Sequence, residues 1–240
     1  MNIYKIDKIG ELIHGNSYVG RGIVAGKTPA GKAAAAYFIM GRSANSRNRV
    51  FELTEEKELF TRPYDASKVQ DPSLIIYAAL RKSGDNLVFT NGDQTDTIVD
   101  GFESGKSFKE ALESRCFEPD GPNFTPRISA VEYLGKADFC YELSILKSID
   151  AEGSDCARFT FSYPGKAGLG HFIHTYVCDG NPIPTFQGEP ERVEIPEDID
   201  DFTKDLWENL DADNKISLYV RYTDPVSGEF EDRLINKYTD

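Results

Sequence analysis

The chain of 240 residues carries 27 lysines and arginines against 40 aspartates and glutamates, which gives a net charge of −13. A hydrophobic content of 40% is enough to fill a globular core, so the composition excludes a disordered chain. A surface this acidic would repel nucleic-acid phosphates. No apolar run approaches the roughly 20 residues of a membrane-spanning helix, and no apolar signal core begins the chain. We therefore expect a cytoplasmic protein that binds neither nucleic acid nor membrane.

The four cysteines, at positions 116, 140, 156 and 178, show no CxxC spacing. This spacing argues against a zinc ribbon and against a thioredoxin-type redox site. A cytoplasmic chain of this length does not need disulfides, so we expect reduced and mostly buried cysteines.

Turn residues divide the first half of the chain into short apolar segments with strand character. The predicted strands lie at residues 18–25, 33–40, 49–53 and 86–90. The first two form a hairpin around a turn at 28–31. The apolar run at 72–82 is ambiguous, because its first part favours a strand and its alanine-rich part favours a helix.

Helices interrupt this pattern in three places. Ser107 and Glu110 form a capping box that predicts a helix from Phe108 to Arg115, and a helical segment at 97–103 precedes it. After Pro196, apolar residues at helical spacing predict a third helix. Further strands are predicted at 127–134, 139–146, 157–163, 171–178, 216–222 and 230–235.

Many antiparallel strands and few helices predict an α+β fold in which two sheets pack face to face with helices outside. Connections are short throughout, which indicates a single domain over residues 1–240.

Charge is unevenly distributed along the chain. Residues 20–50 hold six basic residues and no acid, whereas residues 187–213 hold eleven acids and two basic residues. The acidic run is most simply a solvated helix face and the loop that leads to it. The arginines at the end of the basic run leave two alternatives open, an anion-binding site or exposed side chains on a turn.

Several familiar motifs are absent or incomplete. Gly26-Lys27-Thr28 lacks the earlier glycine and the following helix of a phosphate-binding loop. His171 and His174 are three residues apart on a predicted strand and so point to opposite faces, which argues against a shared metal. No G-x-S-x-G elbow is present, so nucleophilic serine catalysis has no support.

Three polar loops between apolar strands are the strongest functional signal. They lie at residues 41–49, 90–97 and 118–127 and are rich in arginine, asparagine, aspartate and threonine. Each alone is explained by a turn, a helix cap or a proline-stiffened loop. Together they predict a binding site for a polar small molecule, because such side chains supply the donors and acceptors it needs.

The segments YVGRGIVAGKT, GRSANSRNRVF, DPSLIIYAALR, FTNGDQTDTIVDG and EPDGPNFTPRISAV, in this order, resemble the archaeal-type IMP cyclohydrolase family. The likeness is close over residues 18–135 and looser to about residue 178. It implies a fold like that of N-terminal-nucleophile hydrolases, a four-layer αββα sandwich of two mainly antiparallel sheets. The family core would then occupy roughly residues 18–180, with a C-terminal extension at 181–240.

The resemblance also implies an activity. The family closes 5-formamidoimidazole-4-carboxamide ribonucleotide (FAICAR) to inosine monophosphate (IMP) with loss of water, the last step of purine synthesis, and needs no metal or organic cofactor. We expect a purine-nucleotide substrate and a homo-oligomer. The longer termini leave an alternative open, a nucleotide-binding or regulatory protein that kept the pocket without the chemistry.

The family match assigns catalytic roles to Arg47, Tyr77 and Glu118. The arginine would contact the substrate, the tyrosine would relay a proton, and the glutamate would act as general base or orient the carboxamide. The residues alone favour a buried core tyrosine, a surface glutamate and a structural Arg127, and it is the resemblance that favours the catalytic roles. Further substrate contacts are expected at Arg42, Arg49, Asn91, Asp93, Thr95, Asn123 and Arg127.

Overall fold

Two antiparallel sheets dominate the protein, whose computed structural model describes residues 4–69 and 76–238. The strands in chain order are β1 (Arg21–Lys27), β2 (Ala33–Met40), β3 (Val50–Leu53), β4 (Leu59–Arg62), β5 (Tyr77–Ser83), β6 (Asn86–Thr90), β7 (Arg127–Tyr133), β8 (Cys140–Ser148), β9 (Cys156–Pro164), β10 (Leu169–His174), β11 (Glu191–Glu194), β12 (Lys215–Thr223) and β13 (Phe230–Asn236). One sheet has the order β11-β10-β1-β2-β12-β13, and the other runs from β3 to β9 in sequence order.

Within the described residues the helices are few and short. They are α1 (Ile9–Ile13), α2 (Ala44–Arg47), α3 (Gln94–Glu103), α4 (Phe108–Leu112) and α5 (Ile199–Asn209), with a 3-10 turn at Ala66–Lys68. None of these described helices has both the length and the apolar character needed to cross a bilayer.

Three apolar clusters stack the elements into four layers. The largest lies between the two sheets and includes Ile23 and Tyr37 from one sheet and Phe89 and Leu143 from the other. A second cluster packs α1 and α5 on the outer face of the six-stranded sheet, and a third packs α3 and α4 on the outer face of the seven-stranded sheet. Each fully buried phenylalanine or leucine contributes roughly 1.5–3 kcal/mol. The predicted αββα sandwich is therefore confirmed.

Strands β1 and β2 form the predicted first hairpin. Strand β2 reads AAAAYFIM and is buried along its whole length, because it lies between β1 and β12 inside the sheet. Its residues alternate between the inter-sheet cluster and the cluster beneath α5. Residues predicted at 33–40 and 86–90 match β2 and β6 to the residue.

Other boundaries differ from the predictions for physical reasons. Strand β1 begins at Arg21 rather than at residue 18, because Tyr18 and Val19 pack in the cluster on the outer face of the six-stranded sheet. The capping box of Ser107 and Glu110 is present, but α4 ends at Leu112. The ambiguous run at 72–82 is a strand from residue 77 onward, and residues 70–75 lie outside the described residues.

Several elements went unpredicted. Strands β4 and β11 and helix α1 are short, and the polar loop at 41–48 contains α2, which a second capping box starts through Ser43 and Ser46. The expectation of mostly buried cysteines is wrong: all four are free, Cys116 and Cys178 are exposed, and Cys140 and Cys156 are only partly buried.

One carboxylic acid lies in the inter-sheet layer. Glu132 on β7 is 1% exposed, and its Oε1 atom has no hydrogen-bond partner among the described residues. Burial raises its pKa to about 8, and the charge of Arg221 opposes that shift only in part. The buried form of this side chain at neutral pH is therefore the neutral acid.

Glu132→Gln should flatten the dependence of stability on pH. In the unfolded chain a glutamate has a pKa of about 4.3, so unfolding at pH 5–8 releases the Glu132 proton, and wild-type stability should fall as pH rises through that range. The amide has no proton to release. Thermal unfolding at pH 5–8.5 measures the difference, with Glu113→Gln on the exposed end of α4 as control. Parallel curves for wild type and Glu132→Gln would contradict this prediction.

Candidate active site

Two buried arginines lie at one end of the inter-sheet layer without partners for all their donors. Arg21 opens β1 and Arg49 immediately precedes β3, and they are 7% and 4% exposed. The Nε atom of Arg21 and the Nε and Nη1 atoms of Arg49 have no hydrogen-bond partner among the described residues. An unpaired buried cation is costly. These donors are therefore suited to an anionic or strongly polar ligand.

The chain brings Arg21 into this layer through a tight approach at Gly20. That glycine has φ +80°, and a Cβ atom there would lie 2.1 Å from the Thr175 Oγ1 atom. The same hydroxyl accepts a 3.1 Å hydrogen bond from the Arg21 backbone N–H. Only glycine allows both the backbone angle and the contact. Alternation along β1 then turns the Arg21 side chain to the face of Ile23 and Ala25.

The two arginines influence each other through their charges. Burial, and then the positive charge of Arg21, lower the pKa of Arg49. Burial also works against the charge of Arg21, but Glu118 and nearby tyrosines outweigh it and raise its pKa. Both effects place Arg21, Arg49 and Glu118 in one electrostatic neighbourhood.

Glu118 is the acidic member of this neighbourhood. It is 7% exposed in the loop that follows α4, where its backbone N–H donates to the Thr125 carbonyl at 2.9 Å. Burial raises the pKa of its carboxyl group, and the charges of Arg21 and Arg127 offset this only partly. A carboxylate with a raised pKa is a stronger base than an ordinary glutamate.

Two tyrosines complete the group. The hydroxyls of Tyr37 on β2 and Tyr77 on β5 lie 2.9 Å apart, and both side chains are buried. Burial and then the neighbouring Tyr77 raise the pKa of Tyr37 well above its ordinary value, so this phenol stays neutral. We call Arg21, Arg49, Tyr37, Tyr77 and Glu118 the arginine–glutamate cluster.

The loop at 41–49 contributes Arg49 to this cluster, whereas its other arginines have protein partners. Arg47 donates from Nε to the Gly41 carbonyl at 3.0 Å and from Nη2 to Asn214 at 2.8 Å. Arg42 pairs with Asp179 and donates to the Gly180 carbonyl at 2.7 Å. The roles predicted for Arg42 and Arg47 stay predictions.

The loop at 90–97 holds the backbone beside the cluster. Asn91 donates to the Pro126 carbonyl at 2.9 Å and accepts from the Ile128 N–H at 2.9 Å. Thr95 donates to the carbonyl of Ala78, next to Tyr77. These side chains are buried and hydrogen-bonded, so they help to position β5, α3 and β7, and their predicted substrate contacts stay predictions.

Asp93 and Arg127 form an ion-pair network outside the cluster. The Asp93 carboxylate lies 2.7 Å from Arg127 and also pairs with Arg115. Burial disfavours the charge of Asp93, but the hydrogen bond from Arg115 and the charge of Arg127 lower its pKa overall. Arg127 thus links this network to Glu118, whose ionised form it favours.

Asn123 faces the C-terminal part of the chain. Its Oδ1 atom accepts a 3.1 Å hydrogen bond from the Ile183 N–H. His171 and His174 also lie apart: His171 contacts the Tyr141 hydroxyl at 2.7 Å in the inter-sheet layer, whereas His174 stacks on Phe172 of the outer cluster. Among the described residues, no group of three or more metal-ligating side chains is present.

The sequence reasoning missed Arg21 and Tyr37. Both lie within predicted strands, where a single charged or polar residue reads as a solvent-facing position. The sequence did contain a signal. Strands β1 and β2 are apolar at successive positions, which is typical of central strands that are buried on both faces. A charged residue in such a strand is expected to be buried, and buried charges are concentrated at functional sites.

Comparison with known sequences places these observations in a family context. The family profile described as IMP cyclohydrolase-like protein matches residues 18–228. A protein of Methanopyrus kandleri named IMP cyclohydrolase is 40% identical over 146 residues, which cover 57% of this chain and 72% of that relative. One from Methanococcus aeolicus is 28% identical over 165 residues (67% and 75%), and one from Methanococcus maripaludis is 32% identical over 118 residues (48% and 57%).

Inorganic phosphate should stabilise the protein through the unpaired guanidinium groups of Arg21 and Arg49. A ligand that binds the folded state raises the melting temperature. Arg49→Met should remove most of that rise without lowering the melting temperature of the phosphate-free protein, because it also removes the repulsion from Arg21.

Differential scanning fluorimetry in phosphate and in chloride at equal ionic strength measures this effect. Arg42→Met is the matched control, since Arg42 is already paired with Asp179. Equal stabilisation by phosphate in wild type and Arg49→Met would show that the anion binds elsewhere.

Proposed function

Because this chain belongs to the IMP cyclohydrolase-like family, we propose that it closes FAICAR to IMP with release of one water molecule. The family that the five ordered segments resemble is confirmed by the profile match over residues 18–228. The arginine–glutamate cluster is the observation that carries the proposal, because it joins unpaired donors, a buried carboxyl group and two phenols in one place.

The reaction makes three demands on the site. The carboxamide nitrogen must attack the formyl carbon, that nitrogen and the formamide nitrogen must each give up one proton, and the formyl oxygen must take both protons and depart as water while a C=N bond forms. Both reacting groups belong to one molecule, so holding them together supplies much of the rate, with effective molarities of about 10⁵ M or more for well-oriented groups. No covalent nucleophile is required.

Glu118 is the group we assign to proton transfer. Its raised pKa lets the carboxylate accept a proton from the carboxamide nitrogen and return it to the departing hydroxyl. The nearby positive charges of Arg21 and Arg127 limit the rise of this pKa, so they favour the ionised form that can accept a proton.

Arg21 and Arg49 are the groups we assign to the oxygen that becomes negative during attack. Preformed donors in a site shielded from water stabilise such an oxyanion strongly, and removal of one donor typically costs about 10²–10³ in kcat. The donors here are unpaired and buried, which is the required arrangement. Tyr77, hydrogen-bonded to Tyr37, would pass the proton of the formamide nitrogen to the leaving oxygen.

We also propose that Arg47 contacts the substrate, as the family resemblance implies. It lies at the end of α2, two residues before Arg49, and is partly exposed. A contact there would serve a peripheral group such as the 5′-phosphate better than the reacting atoms.

Ring closure is tested by incubating the purified protein with FAICAR and following IMP absorbance. We expect turnover by wild type, a drop of at least a hundredfold in kcat for Glu118→Gln and Arg49→Ala, and loss of activity at low substrate for Arg47→Ala. Circular dichroism and melting curves check that each variant is folded. Stabilisation by IMP without turnover would instead favour a binding protein that lacks the chemistry.

The pH dependence of kcat/KM should carry the signature of Glu118. Activity needs the ionised carboxylate, so it should rise with pH through a pKa above the value of about 4.3 of an ordinary glutamate. Glu118→Asp should keep an acid limb, whereas the residual activity of Glu118→Gln should lose it. An unchanged acid limb in Glu118→Gln would assign the base to another residue.

A further inference from the structure

A buried hydroxyl without a hydrogen-bond partner lies next to Tyr77. Thr61 is the third residue of β4 and is 0% exposed, and its Oγ1 atom has no partner among the described residues. A hydroxyl can donate one hydrogen bond and accept others, and burying it without a partner costs free energy. A ligand that forms a hydrogen bond with Thr61 would remove that cost.

The register of the seven-stranded sheet directs Thr61 toward the arginine–glutamate cluster. Thr61 is the direct partner of Phe51 on one side and of Tyr77 on the other. Directly paired residues of an antiparallel sheet point to the same face. Phe51 and Tyr77 both pack in the inter-sheet cluster, and Phe51 stacks on Tyr37 with ring centroids 5.3 Å apart. Thr61 therefore belongs to the row of side chains that contains Tyr77.

Arg49 reaches the same part of the inter-sheet layer. It lies two residues before Phe51, so strand alternation directs it to the same face. Because Phe51 pairs with Thr61, Arg49 and Thr61 are diagonal neighbours, a separation that long side chains can span. The site thus combines unpaired cationic donors of Arg49 with an unpaired neutral hydroxyl.

Burial separates Thr61 from the groups that would bind charge. Thr61 is 0% exposed, whereas Arg49 and Tyr77 are 4% and 5% exposed. Arg47, at the end of α2, is only partly buried. A charged phosphate costs more free energy to bury than an uncharged amide does. A nucleotide in this site would therefore keep its phosphate near Arg47 and bring its uncharged end to Thr61.

We propose that the Thr61 hydroxyl forms a hydrogen bond with the carboxamide group of the substrate and directs its nitrogen toward the formyl carbon. This inference rests on the proposed function. A carboxamide presents both N–H donors and a carbonyl acceptor, and a hydroxyl can bond either of them. The guanidinium of Arg49 can only donate, and the ionised carboxylate of Glu118 can only accept. Thr61 adds to them a group that can do both.

Isothermal titration calorimetry with IMP measures this contact without turnover. Ring closure converts the carboxamide into the six-position carbonyl and the N1–H of IMP, so the product keeps the groups that Thr61 would bond. We expect Thr61→Val to weaken IMP binding by about fivefold or more. Thr61→Ser keeps the hydroxyl and should bind IMP within about twofold of wild type.

A second nucleotide identifies the group that Thr61 contacts. Purine ribonucleoside 5′-monophosphate lacks both the six-position carbonyl and the N1–H, so wild type and Thr61→Val should bind it equally well. Equal IMP affinity of wild type and Thr61→Val would overturn the contact. An equal loss of affinity for the two nucleotides would overturn its assignment to the carboxamide.

Melting curves and a matched control separate this role from a structural one. Thr61→Val breaks no hydrogen bond within the described part of the chain, so its melting temperature should equal or exceed that of wild type. Ser129 on β7 is also buried with an unpaired hydroxyl, but it lies on the outer face with Val131. Ser129→Ala should bind IMP like wild type. A lower melting temperature of Thr61→Val, or an equal loss of IMP affinity in Ser129→Ala, would overturn the proposal.

FAICAR turnover distinguishes failure of this inference from failure of the proposed function. We expect the kcat of Thr61→Val to fall by about tenfold or more, because its carboxamide nitrogen is no longer oriented, while Thr61→Ser stays active. An unchanged kcat in Thr61→Val would overturn the orienting role while wild-type turnover supports the proposed function. A wild-type protein that neither binds IMP nor converts FAICAR would overturn the proposed function, and this inference with it.

Discussion

The rest of this structure depends on two guanidinium groups that are buried between the two sheets. Some of their donors have no hydrogen-bond partner in the part of the chain that the structure describes. Their mutual repulsion and their loss of hydration oppose folding. Glu118 and the surrounding phenols offset part of the free-energy cost of burying the charge of Arg21. Binding of a negatively charged ligand would offset the rest of that cost. A site built this way is preorganised toward negative charge before any substrate arrives.

The surrounding architecture makes such a site tolerable. Strand β2 contributes small alanines to the inter-sheet layer. The three apolar clusters stabilise the fold and so compensate for the free-energy cost of the buried charges. Polar residues that flank the proposed site form hydrogen bonds to the backbone. Asn91 bonds the carbonyl of Pro126, and Thr95 bonds the carbonyl of Ala78, next to Tyr77. Side chains of the polar loop at 90–97 therefore stabilise the fold beside the proposed site.

Sequence patterns predicted most of the fold, because buried strands such as β2 and β6 have continuous apolar runs and sharp turn signals. Strands β4 and β11 were not predicted, because each has only four residues, too few to establish an alternating pattern in the sequence. The site was harder to predict. Arg47 and Arg49 are two residues apart, and only the turn of α2 decides which of them faces inward. Arg21 escaped because the face of a strand depends on partners distant in sequence.

The place of β12 in the six-stranded sheet has a consequence for synthesis of the chain. Met40 pairs with Lys215 and Ala33 pairs with Thr223, so the paired residues are 175 and 190 positions apart in the sequence. The β2 edge of the early β1–β2 hairpin therefore stays unpaired until residues 215–223 have left the ribosome. Such non-local pairing slows folding, and it leaves an alanine-rich edge exposed to other nascent chains in the interval.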